Sequence, residues 1–186
     1  MFQISHFKFH NKDSAGFTMI ELIITIAILS FAVIGVYGAF SLTSTLTFNI
    51  SSRFTAAYLA HEGFEIVRNL RDNNFISSAA PQPFWSYGLT GCATGCQLDY
   101  KTGTAIQGPE NLLAIYDPNN FLKLNSDGFY SYDTCPTCQD TKFKRKITIS
   151  PISGTSDALK VAVLVEWNYN GKSFSFETNG YLYNWY

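Results

Sequence analysis

The sequence predicts an α+β fold in which one long amino-terminal helix packs on a mostly antiparallel β-sheet. Residues 17–40 form an almost uninterrupted apolar run, and apolar residues continue at helical spacing to about residue 72. The carboxyl-terminal part instead shows the alternation typical of strands, interrupted by glycine, proline and asparagine turns. A helical segment followed by a strand-rich segment is the arrangement of an α+β domain.

The apolar run is long enough to cross a membrane. As a helix it would extend roughly 36 Å, and Glu21 is its only charged side chain. A carboxylate inside such a run is costly, which makes Glu21 a candidate functional residue, although a position this close to the start of the run also suits an ordinary interfacial charge. Lys8 and Lys12 precede the run and favour an amino terminus that stays in the cytoplasm.

Beyond residue 40 the helix is predicted to become amphipathic. Its apolar stripe, suited to packing on a sheet, comprises Ala56, Leu59, Ala60, Gly63, Ile66, Val67 and Leu70. The opposite face is interpreted as solvated and holds His61, Glu62, Glu65, Arg68 and Asp72. The pair Asn73-Asn74 is expected to end the helix.

Strands are predicted in the rest of the chain. Short strands are expected near 97–101 and 129–133, and three longer strands at 142–150, 159–168 and 173–185. Asn170-Gly171 has the chemistry of a tight hairpin turn, so the last two strands should pair antiparallel.

Composition limits the functional classes. The net charge is −1, so the chain lacks the basic footprint of a nucleic-acid-binding protein, and nucleic acid is not expected as a partner. The cations of the 142–150 strand, Lys142, Lys144, Arg145 and Lys146, are interpreted as solvated, with DNA contact as the alternative. No nucleophile, acid and base form a recognisable set, and we expect neither enzymatic activity nor a cofactor.

Four cysteines are the remaining reactive side chains: Cys92, Cys96, Cys135 and Cys138. In an exported domain they favour disulfides, whose three possible connectivities the spacing does not distinguish. The alternatives are one zinc ion held by four thiolates, or free thiols. The Cys-Pro-Thr-Cys string lies between extended segments and not at the strand-to-helix junction of a thioredoxin-like site, which argues against redox catalysis.

The residues at the start of the apolar run resemble the type IV pilin family, which includes the type II secretion pseudopilins and their competence relatives. The matching string is Gly16-Phe17-Thr18-Met19-Ile20-Glu21-Leu22-Ile23. Its specificity lies in a glycine, an aromatic residue and a glutamate at fixed offsets ahead of a span. A secretory signal peptide places its small residues after the apolar region, whereas Ala15-Gly16 comes before it. A plain signal anchor is the simpler alternative.

This resemblance implies processing and assembly. A prepilin peptidase would cut between Gly16 and Phe17 and methylate the new amino group of Phe17. Glu21 would then neutralise the terminal amine of a neighbouring subunit, since an unpaired carboxylate is costly in lipid or in a filament core. The implied partners are the peptidase, other pilin subunits contacting the apolar helix, the pilus assembly machinery and membrane lipid.

The resemblance also implies a domain organisation. Residues 1–16 would be the leader, 17–40 the transmembrane half of the helix, 41–74 its amphipathic half, and 75–186 an extracytoplasmic β-rich domain. The protein would cross the cytoplasmic membrane once, with its amino terminus in the cytoplasm, and then enter a surface filament.

A second resemblance favours a minor subunit. Residues 57–73, the Phe143-x-Arg145-x-Ile147 strand and the Leu182-Tyr183-Asn184-Trp185 end are similar to minor pilins described as type IV pilus modification proteins. The expected function is therefore that of a minor pilin or pseudopilin in a type IV pilus or a type II secretion-like filament. The alternatives are a pilus-borne binding subunit for adhesion or DNA uptake, and a membrane-tethered zinc or thiol protein.

Overall fold

The structure, a computed structural model, describes residues 16–76, 85–103 and 113–185. The expected leader, residues 1–16, lies outside this part of the chain except for Gly16. Within the described residues there are one helix and eight strands. Backbone contacts divide the chain into two compact units, Met1–Phe48 and Asn49–Tyr186.

Helix α1 comprises Met19–Ile76. It extends past Asn73 and Asn74, which were expected to end it, because both side chains make tertiary contacts. The Asn73 amide donates to the carbonyl of Gly103, and the Asn74 amide donates to the carbonyls of Trp85 and Tyr87. These asparagines therefore anchor the end of the helix to the following loops, and they do not terminate it.

In the first unit, the apolar side chains of α1 are exposed, and several of its hydroxyl groups donate to carbonyls of the same helix. Thr25 donates to the carbonyl of Leu22, and Ser30 donates to the carbonyl of Ile26. A hydroxyl that donates within the helix does not need a water partner. A helix that crosses hydrocarbon requires its polar groups to be satisfied in this way. By length and composition α1 could cross a membrane, and none of its most apolar segment is buried within the protein.

In the second unit, the predicted stripe of α1 forms one side of the core. Ala56, Leu59, Ala60, Val67 and Leu70 are at most 5% exposed. The stripe packs with the inner faces of strands β6 (Phe143–Pro151) and β7 (Ala158–Tyr169). The α+β prediction is confirmed.

The main sheet has five antiparallel strands in the order β2-β1-β6-β7-β8. Strand β1 is Cys96–Gln97, β2 is Ala114–Ile115, and β8 is Lys172–Tyr183. Asn170 and Gly171 both have positive φ, at 49° and 74°, and form the tight turn predicted between β7 and β8.

A smaller sheet has the order β4-β3-β5, with β3 at Lys123–Leu124, β4 at Tyr130–Ser131 and β5 at Gln139–Asp140. Strands β2, β3 and β5 were not predicted. Two-residue strands are too short to show the alternation that a sequence pattern reveals.

Gly180 on β8 allows α1 to approach the sheet closely. A Cβ atom at this position would lie 2.4 Å from Cε2 and 2.5 Å from Cζ of Phe64. The Phe64 ring thus occupies the space above the glycine and contacts the Arg68 guanidinium, whose Cζ is 5.2 Å from the ring centroid.

Replacing Gly180 by valine is expected to lower the free energy of unfolding by about 1 to 3 kcal/mol, because the larger side chain forces Phe64 to move. Urea unfolding of the full chain in detergent, followed by tryptophan fluorescence, measures the change. Combining Gly180→Val with Phe64→Ala should cost less than the sum of the single changes. Additive losses would show that the two positions do not compete for the same space.

Candidate functional site

The candidate site at the amino-terminal end is built on the first turn of α1. Gly16 and Phe17 precede the helix, and the Phe17 side chain is 80% exposed. A Cβ atom on Gly16 would meet nothing within 4 Å. The peptide bond between these two residues therefore lies in non-helical, exposed chain, a conformation that a peptidase can approach.

Thr18 caps the helix, a role that the sequence interpretation did not give it. The Glu21 backbone N–H donates to Thr18 Oγ1 at 3.3 Å, and the Leu22 N–H donates to the Thr18 carbonyl at 3.2 Å. Thr18-x-x-Glu21 is the spacing of a capping box. A carboxylate in the first turn is also stabilised by the positive end of the helix dipole. The sequence signal that could have revealed this cap was a threonine three residues before a glutamate. The Glu21 backbone N–H thus belongs to the cap, and its carboxylate lies in the first turn of α1.

Residues 11–37 match the family model described as the prokaryotic N-terminal methylation motif. The chain is pilin-like at its amino-terminal end. The match includes Gly16, Phe17 and Glu21 and the first half of the apolar run, and the long apolar helix that follows is consistent with a type IV pilin-like protein. No curated protein and no solved structure matches the chain.

The basic strand is not a row of free cations. Lys144 Nζ donates to the carbonyl of Pro118 at 2.9 Å and lies 5.1 Å from the centroid of Phe121. Lys146 Nζ lies 5.6 Å from the centroid of Tyr116. These two lysines hold the chain between β2 and β3 against the outer face of the sheet.

Lys142, just before β6, is engaged at another place. Its Nζ donates to Ser52 Oγ on α1 at 2.7 Å and lies 5.2 Å from the centroid of Tyr169. Each of these lysines thus has a partner within the protein and is partly buried, so the three are not fully solvated cations.

Arg145 was grouped wrongly with these lysines, since it points into the core and is 0% exposed. Alternation along β6 places it on the same face as Phe143, Ile147 and Ile149, which the sequence pattern already implied. A buried guanidinium does not reach DNA, and a DNA contact of this strand through Arg145 is excluded.

The Arg145 guanidinium joins three segments. Nη1 donates to Glu62 Oε2 at 2.8 Å and to the Leu59 carbonyl at 2.9 Å, and Nη2 donates to the Leu98 carbonyl at 2.7 Å. Gly63 leaves room for the arginine stem, since a Cβ there would lie 3.0 Å from Arg145 Cδ. Glu62, expected on the solvated face of the helix, is instead 31% exposed and supplies the counter-charge.

The rest of that helix face agrees with the prediction except at its end. Glu65 pairs with Arg68 at 2.8 Å, as expected from their spacing. Asp72 lies four residues from Arg68, at helical pairing distance, but it instead accepts from Arg71 at 2.7 Å.

Tyr132 connects the smaller sheet to Arg145. Its hydroxyl donates to the Arg145 carbonyl at 3.0 Å. Burial raises the pKa of Tyr132 to about 12, although the nearby Arg145 charge opposes the rise. The folded protein therefore holds this phenolic proton more tightly than the unfolded chain does.

Tyr132 is expected to make the free energy of unfolding fall as the pH rises from about 10, the ordinary tyrosine pKa, to about 12. The slope should reach about 1.4 kcal/mol per pH unit, because the unfolded chain loses the proton first. Denaturant unfolding at about pH 9 and pH 11 measures it. The Tyr132→Phe variant should lose less free energy of unfolding between these pH values than the unaltered chain. The Tyr183→Phe variant, changed at an exposed position, should lose as much as the unaltered chain. Equal losses in all three proteins would contradict the assignment.

The four cysteines lie in two local pairs, Cys92 with Cys96 and Cys135 with Cys138. In the described residues, no group of three His, Cys, Asp or Glu side chains is arranged to hold a metal ion. The sequence spacing allowed three connectivities, and the structure selects the one that joins nearest neighbours.

Proposed function

We propose that this chain is a minor pilin or pseudopilin, a structural subunit of a type IV pilus or a type II secretion-like filament. The observation that supports this most strongly is the methylation motif at residues 11–37, directly continuous with a long apolar helix. The α+β domain that follows gives the exported part of such a subunit. The proposed role is structural and not enzymatic.

Processing would remove residues 1–16. A prepilin peptidase hydrolyses the bond between Gly16 and Phe17 and methylates the new Phe17 amine. The exposed, non-helical Gly16-Phe17 segment supports this step, because a protease needs its substrate in an extended form. Residues 17–40 then remain as the membrane span, 41–74 continue the helix, and 75–186 complete the domain outside the cytoplasmic membrane.

Assembly would use the apolar helix and Glu21. Apolar side chains exposed on α1, from Met19 to Phe40, need lipid or neighbouring helices around them. In a filament core the Glu21 carboxylate pairs with the Phe17 amine of the next subunit, so that neither charge is buried alone. The partners are thus other pilin subunits, the assembly machinery, and lipid before assembly.

The two alternatives from the sequence have less support. The binding-subunit alternative depended in part on the basic strand, whose lysines are engaged within the protein and whose arginine is buried. A zinc protein would need the cysteines to converge, and they lie as two bonded pairs.

The decisive experiment is mass spectrometry of sheared surface filaments and of membranes from native cells, searching for a peptide that begins with methylated Phe17. We expect this peptide in one of the two fractions. Its presence in sheared filaments identifies an extended pilus, and its presence only in membranes identifies a short pseudopilus. Recovery of only uncut chain would show that the proposal is wrong.

Glu21→Gln tests the assembly role and keeps the capping-box spacing. Glutamine suits the capping-box position as glutamate does, so α1 should still begin at the same place with at most about 1 kcal/mol lost from the helix dipole, but it offers no charge to an amine. We expect cleavage after Gly16 to continue while incorporation into filaments falls roughly tenfold or more, as expected for losing one partner of a buried charge pair. Unchanged incorporation would show that assembly does not need the Glu21 charge.

A further inference from the structure

The two disulfides differ in their access to solvent. Cys92 and Cys96 are 1% and 2% exposed and belong to the hydrophobic core, where Cys96 pairs in β1 with Ile147 of β6. Cys135 and Cys138 are only half-buried. They lie in the connection between β4 and β5, outside the core cluster. An incoming thiolate must reach a sulfur atom to exchange with it, so the second disulfide is open to a reaction from which the first is shielded.

The chain around the accessible disulfide is already folded as a turn. The Cys138 N–H donates to the Cys135 carbonyl at 3.1 Å, and Pro136 occupies the second position of this four-residue turn, where its restricted φ is favoured. Pro136 and Thr137, between the two sulfurs, are exposed. Because the turn has its own hydrogen bond and proline, the sulfurs remain neighbours when the bond between them opens, and the bond can form again.

The two sulfurs of this disulfide are not equivalent. Thr137 Oγ1 lies 3.8 Å from Cys135 Sγ. A disulfide sulfur has no proton, so the threonine hydroxyl is the donor of this contact. When the bond breaks, the same hydroxyl stabilises negative charge on Cys135, and a better leaving thiolate accelerates exchange.

We propose that the Cys135–Cys138 disulfide is a thiol-exchange site that accepts electrons from an external dithiol, with Cys138 as the sulfur attacked. A thiolate of the dithiol bonds to Cys138 Sγ while the bond to Cys135 Sγ breaks. The electron pair goes to Cys135, which takes up a proton. The second thiol of the dithiol then attacks the dithiol sulfur that is bonded to Cys138, and Cys138 is released as a thiol. Two electrons pass to the protein, and the dithiol leaves as a disulfide.

The test is reduction of the full chain in detergent by dithiothreitol without denaturant, quenched by acid, with free thiols then alkylated and mapped by peptide mass spectrometry. We expect Cys135 and Cys138 to be labelled at a rate roughly tenfold or more above that of Cys92 and Cys96, because exposure of the latter pair requires the core to open. Tryptophan fluorescence should remain native during the first phase. Equal rates for the two pairs, labelling before reductant is added, or protection of both pairs until unfolding would each overturn the proposal.

Variants test the polarity of the reaction. Thr137→Val removes the hydroxyl at nearly constant size and should slow reduction of Cys135–Cys138 several-fold. Thr94→Val makes the same change within the Cys92–Cys96 loop, at an exposed position, and should leave that rate unaltered. In a second arm with reduced glutathione, the trapped mixed disulfide should be on Cys138. Glutathione on Cys135, or an unchanged rate in Thr137→Val, would overturn the assignment of Cys138 as the attacked sulfur.

Discussion

Replacing Glu62 by alanine is expected to lower the free energy of unfolding by about 2 to 4 kcal/mol. The change leaves the Arg145 guanidinium, which is 0% exposed, without its counter-charge. Removing one member of a buried pair typically costs about 3 to 5 kcal/mol, and we expect somewhat less here because the glutamate itself is 31% exposed. Urea unfolding of the full chain in detergent, followed by tryptophan fluorescence, measures the loss.

Glu65→Ala is the matched control for this prediction. Glu65 lies one turn further along α1 and pairs with Arg68, but both side chains are more than 40% exposed. Its loss should cost less than about 1 kcal/mol, as for other surface pairs. Adding Arg145→Met to Glu62→Ala should recover part of the stability, because it removes the unpaired charge and retains apolar volume. If Glu62→Ala costs no more than Glu65→Ala, the Arg145 charge is compensated by its carbonyl partners alone.

Replacing Gly16 by valine is expected to abolish the proposed removal of residues 1–16, which is the largest functional effect that we predict. A side chain at Gly16 would meet nothing within 4 Å, so the substitution should not disturb the fold. The loss would therefore report recognition by the peptidase. The motif implies that this peptidase would require glycine immediately before the bond that it cuts. Immunoblotting against the carboxyl-terminal domain should show only the longer, uncut chain, and no methylated Phe17 should be recovered.

Gly35→Val provides the control for processing. Gly35 lies within α1 and likewise has no atom within 4 Å of the position of a Cβ. Valine there adds the same side chain within α1, beyond the proposed cleavage site, and cleavage should proceed as in the unaltered chain. Normal cleavage of Gly16→Val would show that the processing site is not the one proposed.

The elements whose signals are local could be predicted from the amino-acid sequence alone. A continuous apolar run followed by an apolar stripe predicted the long helix, because helix formation and packing follow from residues three and four apart. Alternation predicted β6, β7 and β8, and Asn170-Gly171 predicted the turn between the last two, since positive φ at both positions restricts the residue types. The amino-terminal motif was visible for the same reason, as it consists of residue types at short, fixed offsets.

Which distant groups meet depends instead on how the folded chain packs. Alternation alone could have placed Arg145 on the inner face of β6, but its acceptors come from α1 and from the residue after β1, at separations of 83 to 86 and 47 residues. The pairing of β1 with β6 and the contact of Asn73 with Gly103, 30 residues away, depend on similar long-range approaches. The cysteine pairing was open for the same reason, since spacing permits several connectivities and the folded backbone brings together one. A buried charge is tolerated where distant carbonyls and a carboxylate converge, and that convergence is a property of the packed chain.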